Sequence, residues 1–61
     1  MLLAIDIGNT NIVYALFQGA TLMQRFRVES RQERTADEYT VLVHQLLNLR
    51  SVSPDQVNAA I

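Results

Sequence analysis

One short stretch of this chain is better explained by chemistry than by packing: Asp6-Ile7-Gly8-Asn9-Thr10-Asn11. A carboxylate ends the apolar run Met1–Ile5, a glycine follows two residues later, and small polar residues come next. A phosphate-binding turn needs close backbone approach, several N–H groups converging on the anion, and a carboxylate that holds Mg²⁺ directly or through water. Gly8 offers the first, the amides of Gly8 to Asn11 the second, and Asp6 the third. Thr10 adds a hydroxyl that can donate to a phosphate oxygen. The stretch is not a Walker loop, because G-x-x-x-x-G-K-[ST] is absent and the chain has no lysine. Nor is it a dinucleotide fingerprint, because G-x-G-x-x-G is missing and a strand, not a helix, follows. Asp, Gly and Asn are also ordinary turn residues. What sets this turn apart is an Asp on the interior side of the Gly, at the end of a strand expected to be buried on both faces, where an unpaired charge is costly.

The elements that would position this turn are readable from pattern. Leu2 to Ile7 is a short continuous apolar run, expected as an interior strand. Gly8-Asn9-Thr10 breaks it, with Gly and Asn suited to positive φ. Asn11 to Phe17 alternates Ile12, Tyr14 and Leu16 with Val13, Ala15 and Phe17, apolar on both faces. Gln18-Gly19-Ala20 is a turn, and Thr21 to Val28 a third strand. On that strand Leu22, Gln24, Phe26 and Val28 share one face, while Met23, Arg25 and Arg27 share a partly solvated one. Short turns between the three runs predict an antiparallel meander.

Glu29 to Arg34 is a charged loop. Thr35 with Glu38 three residues on makes a capping box, and Asp37 and Glu38 suit the positive end of a helix dipole. Tyr39, Leu42, Val43, Leu46 and Leu47 form the core-facing stripe of the helix that follows. Ser53-Pro54-Asp55-Gln56 starts a second, short helix. Asn58 to Ile61 reads as the opening of a strand parallel to the first, reached by a crossover.

Bulk properties narrow the function. Sixty-one residues make at most one small domain, one that buries only about 60% of its unfolded surface. No cysteine is present, so no disulfide can reinforce it. About half the residues are apolar, too many for a disordered tail. The net charge of −1 and five basic residues, all arginine, do not make a nucleic-acid surface. Apolar runs fall well short of the roughly 20 residues of a membrane span, and no leader pattern marks the N-terminus. The expectation is a cytoplasmic protein with no nucleic-acid or membrane partner, and a fragment of a longer chain.

Other residues carry little functional signal. Tyr39 belongs to the core stripe. His44 falls on the polar side of the same helix with no second ligand at i+4, so neither metal binding nor catalysis is assigned to it. Arg25 and Arg27 read as a solvated face, and Arg31, Glu33 and Arg34 as a solvated loop.

With these residues in place, Asp6-Ile7-Gly8-Asn9-Thr10-Asn11 after an N-terminal apolar strand resembles the first phosphate motif of the type III pantothenate kinases. These enzymes belong to the superfamily of sugar kinases, actin and heat-shock ATPases. The resemblance extends through the hairpin Ile12–Phe17, the strand ending Arg25-Phe26-Arg27-Val28, and Arg34-Thr35-Ala36-Asp37-Glu38-Tyr39, so it covers essentially the whole chain. It implies an α/β fold, residues 1–61 being the N-terminal part of a ribonuclease H-like, actin-like ATPase domain: a three-stranded antiparallel meander, a helix, and the start of a parallel strand. It implies ATP-dependent phosphorylation of pantothenate, the first step towards coenzyme A, by a cytoplasmic homodimer using Mg²⁺ and a monovalent cation, K⁺ or NH₄⁺. Asp6, Ile7, Gly8, Asn9, Thr10, Asn11, Ile12 and Val13 would line the ATP phosphates, with Asp6 ordering Mg²⁺ through water. The general-base Asp, the pantothenate pocket, the second phosphate motif and the cation site are expected beyond residue 61, so the isolated chain is expected to be inactive. The alternatives are another superfamily kinase or phosphatase, a transcription accessory factor of the same family, and an actin-like assembly protein.

Overall fold

The computed structural model describes residues 1–61. Its elements follow the expected order: β1 (Leu2–Ile7), β2 (Asn11–Gln18), β3 (Thr21–Glu29), α1 (Ala36–Leu49), a 3₁₀ turn (Pro54–Gln56) and β4 (Ala59–Ala60). The strands form one sheet in the order β3-β2-β1-β4. The first three pair antiparallel, and β4 pairs parallel with β1, Leu2 against Ala59 and Leu3 against Ala60. This is the meander, helix and parallel strand expected for the opening of an actin-like domain. No helix is long and apolar enough to cross a membrane.

Local chemistry explains the joints. Gly19 sits at φ +60° in the first of two turn positions between Gln18 and Thr21, where a II′ hairpin requires glycine. Both halves of the capping box at Thr35 form, Glu38 N–H donating to Thr35 Oγ1 and Thr35 N–H to Glu38 Oε1. The far end of α1 closes without glycine. Ser51 takes φ 60°, Ser51 N–H donates to Asn48 O at 3.0 Å and Val52 N–H to Leu47 O at 2.9 Å. That pair of bonds is a Schellman closure, and it delivers Val52 into the core.

The core is one-sided. Leu3 of β1, Ile12, Tyr14 and Leu16 of β2, and Phe26 and Val28 of β3 are buried together with Leu47 and Val52. Tyr39, Leu42, Val43 and Leu46 of α1 pack against them. Leu16, with 0% of its surface exposed, is the centre, and Tyr14 stacks on Phe26 with centroids 5.2 Å apart. The opposite face carries Leu2, Ala4, Val13, Ala15 and Phe17, none of them buried. The expectation that β1 and β2 are interior on both faces is therefore corrected: with a single helix, only one face is covered. The outer end of β1 is open on both faces, with Ile7 76% exposed.

A second correction concerns β3. The pairing shifts between Leu16 and Phe17, so Leu16 faces Gln24 but Phe17 faces Leu22. The extra residue of this bulge breaks the alternation. Leu22 pairs with the open-face residue Phe17 and is 51% exposed instead of joining Phe26 and Val28.

The first-strand edge is partly protected. Ile61 N–H donates to Leu3 O and Ile5 N–H to Ile61 O, which leaves the outer end of β1 free, and the outer edge of β3 is covered only by arginine side chains at Arg25 O and Glu29 O. Free edges beside an uncovered apolar face invite intermolecular pairing. The chain 1–61 alone is expected to self-associate at micromolar concentration. A single monomeric species by sedimentation velocity, with a sharp cooperative melt, would contradict this.

Candidate phosphate-binding turn

The turn hangs from the end of the β1–β2 ladder, whose last pair is Ile7 with Ile12. Gly8 N–H donates to Asn11 O at 2.9 Å and closes it. Two expectations change here. Gly8 does not take positive φ; it is needed for space, since a Cβ at this position would lie 2.9 Å from Asn11 O. And the Gly8 amide is spent inside the turn, so it is not available to an anion.

What the turn leaves available is narrower and better defined. The backbone N–H groups of Asn9 and Thr10 donate to no acceptor in the protein. Asn11 Nδ2 donates to Thr10 Oγ1 at 3.1 Å. The Thr10 oxygen thus accepts from within the turn, and its O–H proton remains free to donate outward.

Asp6 lies one pair further back, opposite Val13, on the face of the sheet away from α1. It is exposed, not buried as expected. It is also unpaired, since the ion pair in this chain is Arg31 with Glu29. No cluster of three metal-ligating side chains surrounds it. A lone carboxylate suits Mg²⁺, which keeps several waters and binds through one or two carboxylates plus phosphate oxygens. Of the remaining predicted residues, Ile7 and Asn9 point into solvent, Asn11 and Val13 are half-buried, and the Ile12 side chain belongs to the core. On the helix side of the sheet an open cleft of about 590 Å³ borders the turn, lined by Ile5, Ile7, Asn9, Ser30, Ala36 and Tyr39 among others.

Ser30, read from sequence only as part of a charged loop, holds the turn from below. Its N–H donates to Thr10 O at 2.9 Å, and its Oγ donates to Gly8 O at 3.0 Å. Nothing in its sequence neighbourhood marks this, because the contact spans 22 residues. The loop that carries Ser30 is fixed in turn by α1. The Tyr39 hydroxyl accepts from Arg31 N–H at 3.0 Å and donates to Arg31 O at 3.2 Å. Arg34 lies over the Tyr39 ring at 5.4 Å, and its Nη1 donates to Glu29 O at 2.9 Å. Tyr39 is thus core at its ring and a loop anchor at its tip, more than the packing role expected of it. The exposed Arg31–Glu29 pair raises the Arg31 pKa through its hydrogen bond and charge, but exposed pairs contribute little stability. Burial is the main cause that pushes the Tyr14 pKa up. The neighbouring Tyr39 adds to the rise and Arg34 opposes it. His44 is exposed on α1, as expected.

The family model described as type III pantothenate kinase matches residues 2–61. A type III pantothenate kinase of Myxococcus xanthus is 49% identical over 61 residues, 100% of this chain and 24% of the relative. One of Rhizorhabdus wittichii is 51% identical over the same 61 residues, 24% of its length. One of Sphingopyxis alaskensis is 49% identical, with 23% of its length covered. The chain spans about a quarter of the length of these relatives.

The crowding at Gly8 gives a direct test of the turn. Gly8→Ala forces the added methyl against the Asn11 carbonyl and is expected to destabilise by about 1–3 kcal/mol, the usual cost of overpacking. Urea unfolding measures it, and a stability equal to wild type would mean the turn has room that this geometry denies it.

Proposed function

The chain belongs to the type III pantothenate kinase family, and from that membership we propose that the protein phosphorylates pantothenate with ATP, giving 4′-phosphopantothenate for coenzyme A synthesis. The observation that carries this reading is the family match over residues 2–61, which includes the whole phosphate turn. The turn's chemistry supports it: two unused N–H groups, one free hydroxyl proton and an unpaired carboxylate gathered on one hairpin.

In this proposal Asn9 N–H, Thr10 N–H and the Thr10 hydroxyl hold phosphate oxygens. Gly8 lets the hairpin close tightly enough to present them. Asp6 would hold the metal through its bound water. When bound, the ATP–Mg²⁺ complex supplies the transferable phosphoryl group and neutralises its charge. Because phosphoryl transfer depends mainly on positioning and charge stabilisation, holding the phosphates is a large share of the catalytic task. The base that takes the pantothenate hydroxyl proton, the acceptor pocket and the monovalent-cation site are proposed to lie in the part of the relatives' length that residues 1–61 do not span. Residues 1–61 would then be the N-terminal portion of the first ATPase-like domain of a cytoplasmic homodimer. Family likeness supports these last points, as it does the use of K⁺ or NH₄⁺.

Asp6→Asn separates the metal role from a structural one. The side chain is exposed and unpaired, so the melting temperature should hold. In the whole protein, ADP release with pantothenate is expected to fall about 100-fold or more in kcat, the scale on which one charge-stabilising group acts. Wild-type turnover in that variant would remove Asp6 from the mechanism. Pantothenate-independent ADP release in the unmutated protein would remove the substrate.

A further inference from the structure

We infer that Ser30 is a positioning residue for nucleotide binding: by holding the Gly8 and Thr10 carbonyls, it aims the turn's unused N–H groups at the phosphates. This rests on the proposed phosphate role of the turn.

In a planar trans peptide the C=O of one residue and the N–H of the next point in opposite directions, and the chain has no cis peptide bond. Ser30 Oγ holds Gly8 O at 3.0 Å, so the peptide between Gly8 and Asn9 is fixed with Asn9 N–H directed away from Ser30. Ser30 N–H holds Thr10 O at 2.9 Å and fixes the peptide two units on. Between these clamps the Asn9–Thr10 peptide is the tip of the hairpin, and its N–H is unused. Without the Oγ clamp, the Gly8–Asn9 peptide is free to rotate, because nothing else in the protein holds the Gly8 carbonyl. The anion would then have to order that peptide on binding, and its affinity falls by that cost.

The clamp is itself held. Ser30 stays in place because the next residue, Arg31, is gripped at both its N–H and its carbonyl by the Tyr39 hydroxyl. The positioning path runs from the core-packed ring of Tyr39, through the Arg31 backbone, to Ser30 and then to the turn. Neither Ser30 nor Tyr39 is assigned to touch the phosphates.

The test uses the whole protein and MgADP as probe, with affinity read by isothermal titration calorimetry. Ser30→Ala is expected to weaken MgADP binding about tenfold, roughly the net value of one oriented hydrogen bond. The KM for pantothenate should be unchanged, and the melting temperature should fall by no more than about 5 °C, the stability cost of one hydrogen bond. Ser30→Thr keeps the hydroxyl and should restore affinity to within about twofold of wild type, well inside the single-bond effect. If Ser30→Ala does not fold, Tyr39→Phe carries the test and should weaken MgADP binding in the same direction by a smaller factor. Ser30→Ala binding MgADP as wild type does would overturn the inference and leave the kinase reading standing. Equal weakening by Ser30→Ala and Ser30→Thr would also overturn it, since the hydroxyl would then not be the cause. An unmutated protein that binds MgADP without phosphorylating pantothenate would end the kinase reading and leave the role of Ser30 intact. Failure of the unmutated protein to bind MgADP would end both.

Discussion

A hairpin turn offers its N–H groups to an anion best when its carbonyls are held elsewhere. Each peptide carries donor and acceptor in opposition, and a turn with free carbonyls presents negative ends as readily as positive ones. Here three of the turn's four carbonyls are held, two of them by the residue that follows the third strand, and only Asn9 O is left over. Ser30 takes the Gly8 and Thr10 carbonyls, Asn11 O is taken by the Gly8 amide, and the donors of Asn9 and Thr10 remain. The meander order β1-β2-β3 matters for this reason. It brings the end of β3 beside the first turn, so the residue that orients the turn comes directly after a strand already paired with β2 from Asn11 to Gln18.

The helix contributes at two levels through one residue. The Tyr39 ring packs on the core cluster while its hydroxyl holds the loop that follows β3. Arg34 closes over the same ring and reaches back to the Glu29 carbonyl. The stretch Arg34 to Tyr39 is thus both a helix start and a fastening for the turn's support. Capping alone accounts for Thr35 and Glu38. It does not account for an arginine before the cap and a tyrosine after it, and the loop contacts do.

Most of the architecture was legible in the sequence because it follows local rules. Periodicity found the strands, the capping box found the helix, Ser53-Pro54 found the 3₁₀ turn, and Asn58 to Ile61 announced the parallel strand. The failures have a common physical origin in relations between distant residues. Apolar alternation in Leu2–Ile7 and Asn11–Phe17 reports that both faces avoid water, not which face a neighbour covers. The bulge that moved Leu22 depends on how β2 and β3 twist against each other. The Schellman closure at Ser51 uses a residue type that does not advertise positive φ. At the site, the type and order of the turn residues were readable, but Ser30 was not, since its two bonds join residues 20 or more apart. Gly8 was read both as a residue that allows close approach and as one suited to positive φ; only the first holds, and the close approach is to the Asn11 carbonyl.

The exposure of Asp6 suits the proposed metal-ordering role better than burial would. A buried carboxylate without a partner carries a desolvation cost of several kcal/mol and tends to shed its charge. At the open end of β1, Asp6 faces water and has no competing cation, so its charge is available. Mg²⁺ gives up its hydration shell reluctantly, and a carboxylate in water can order the bound waters without stripping them. The same arrangement explains why the carboxylate sits on the strand and not on the turn. Pairing with Val13 fixes its backbone within the ladder, and the turn one residue pair further on is left to present N–H groups without a negative charge among them.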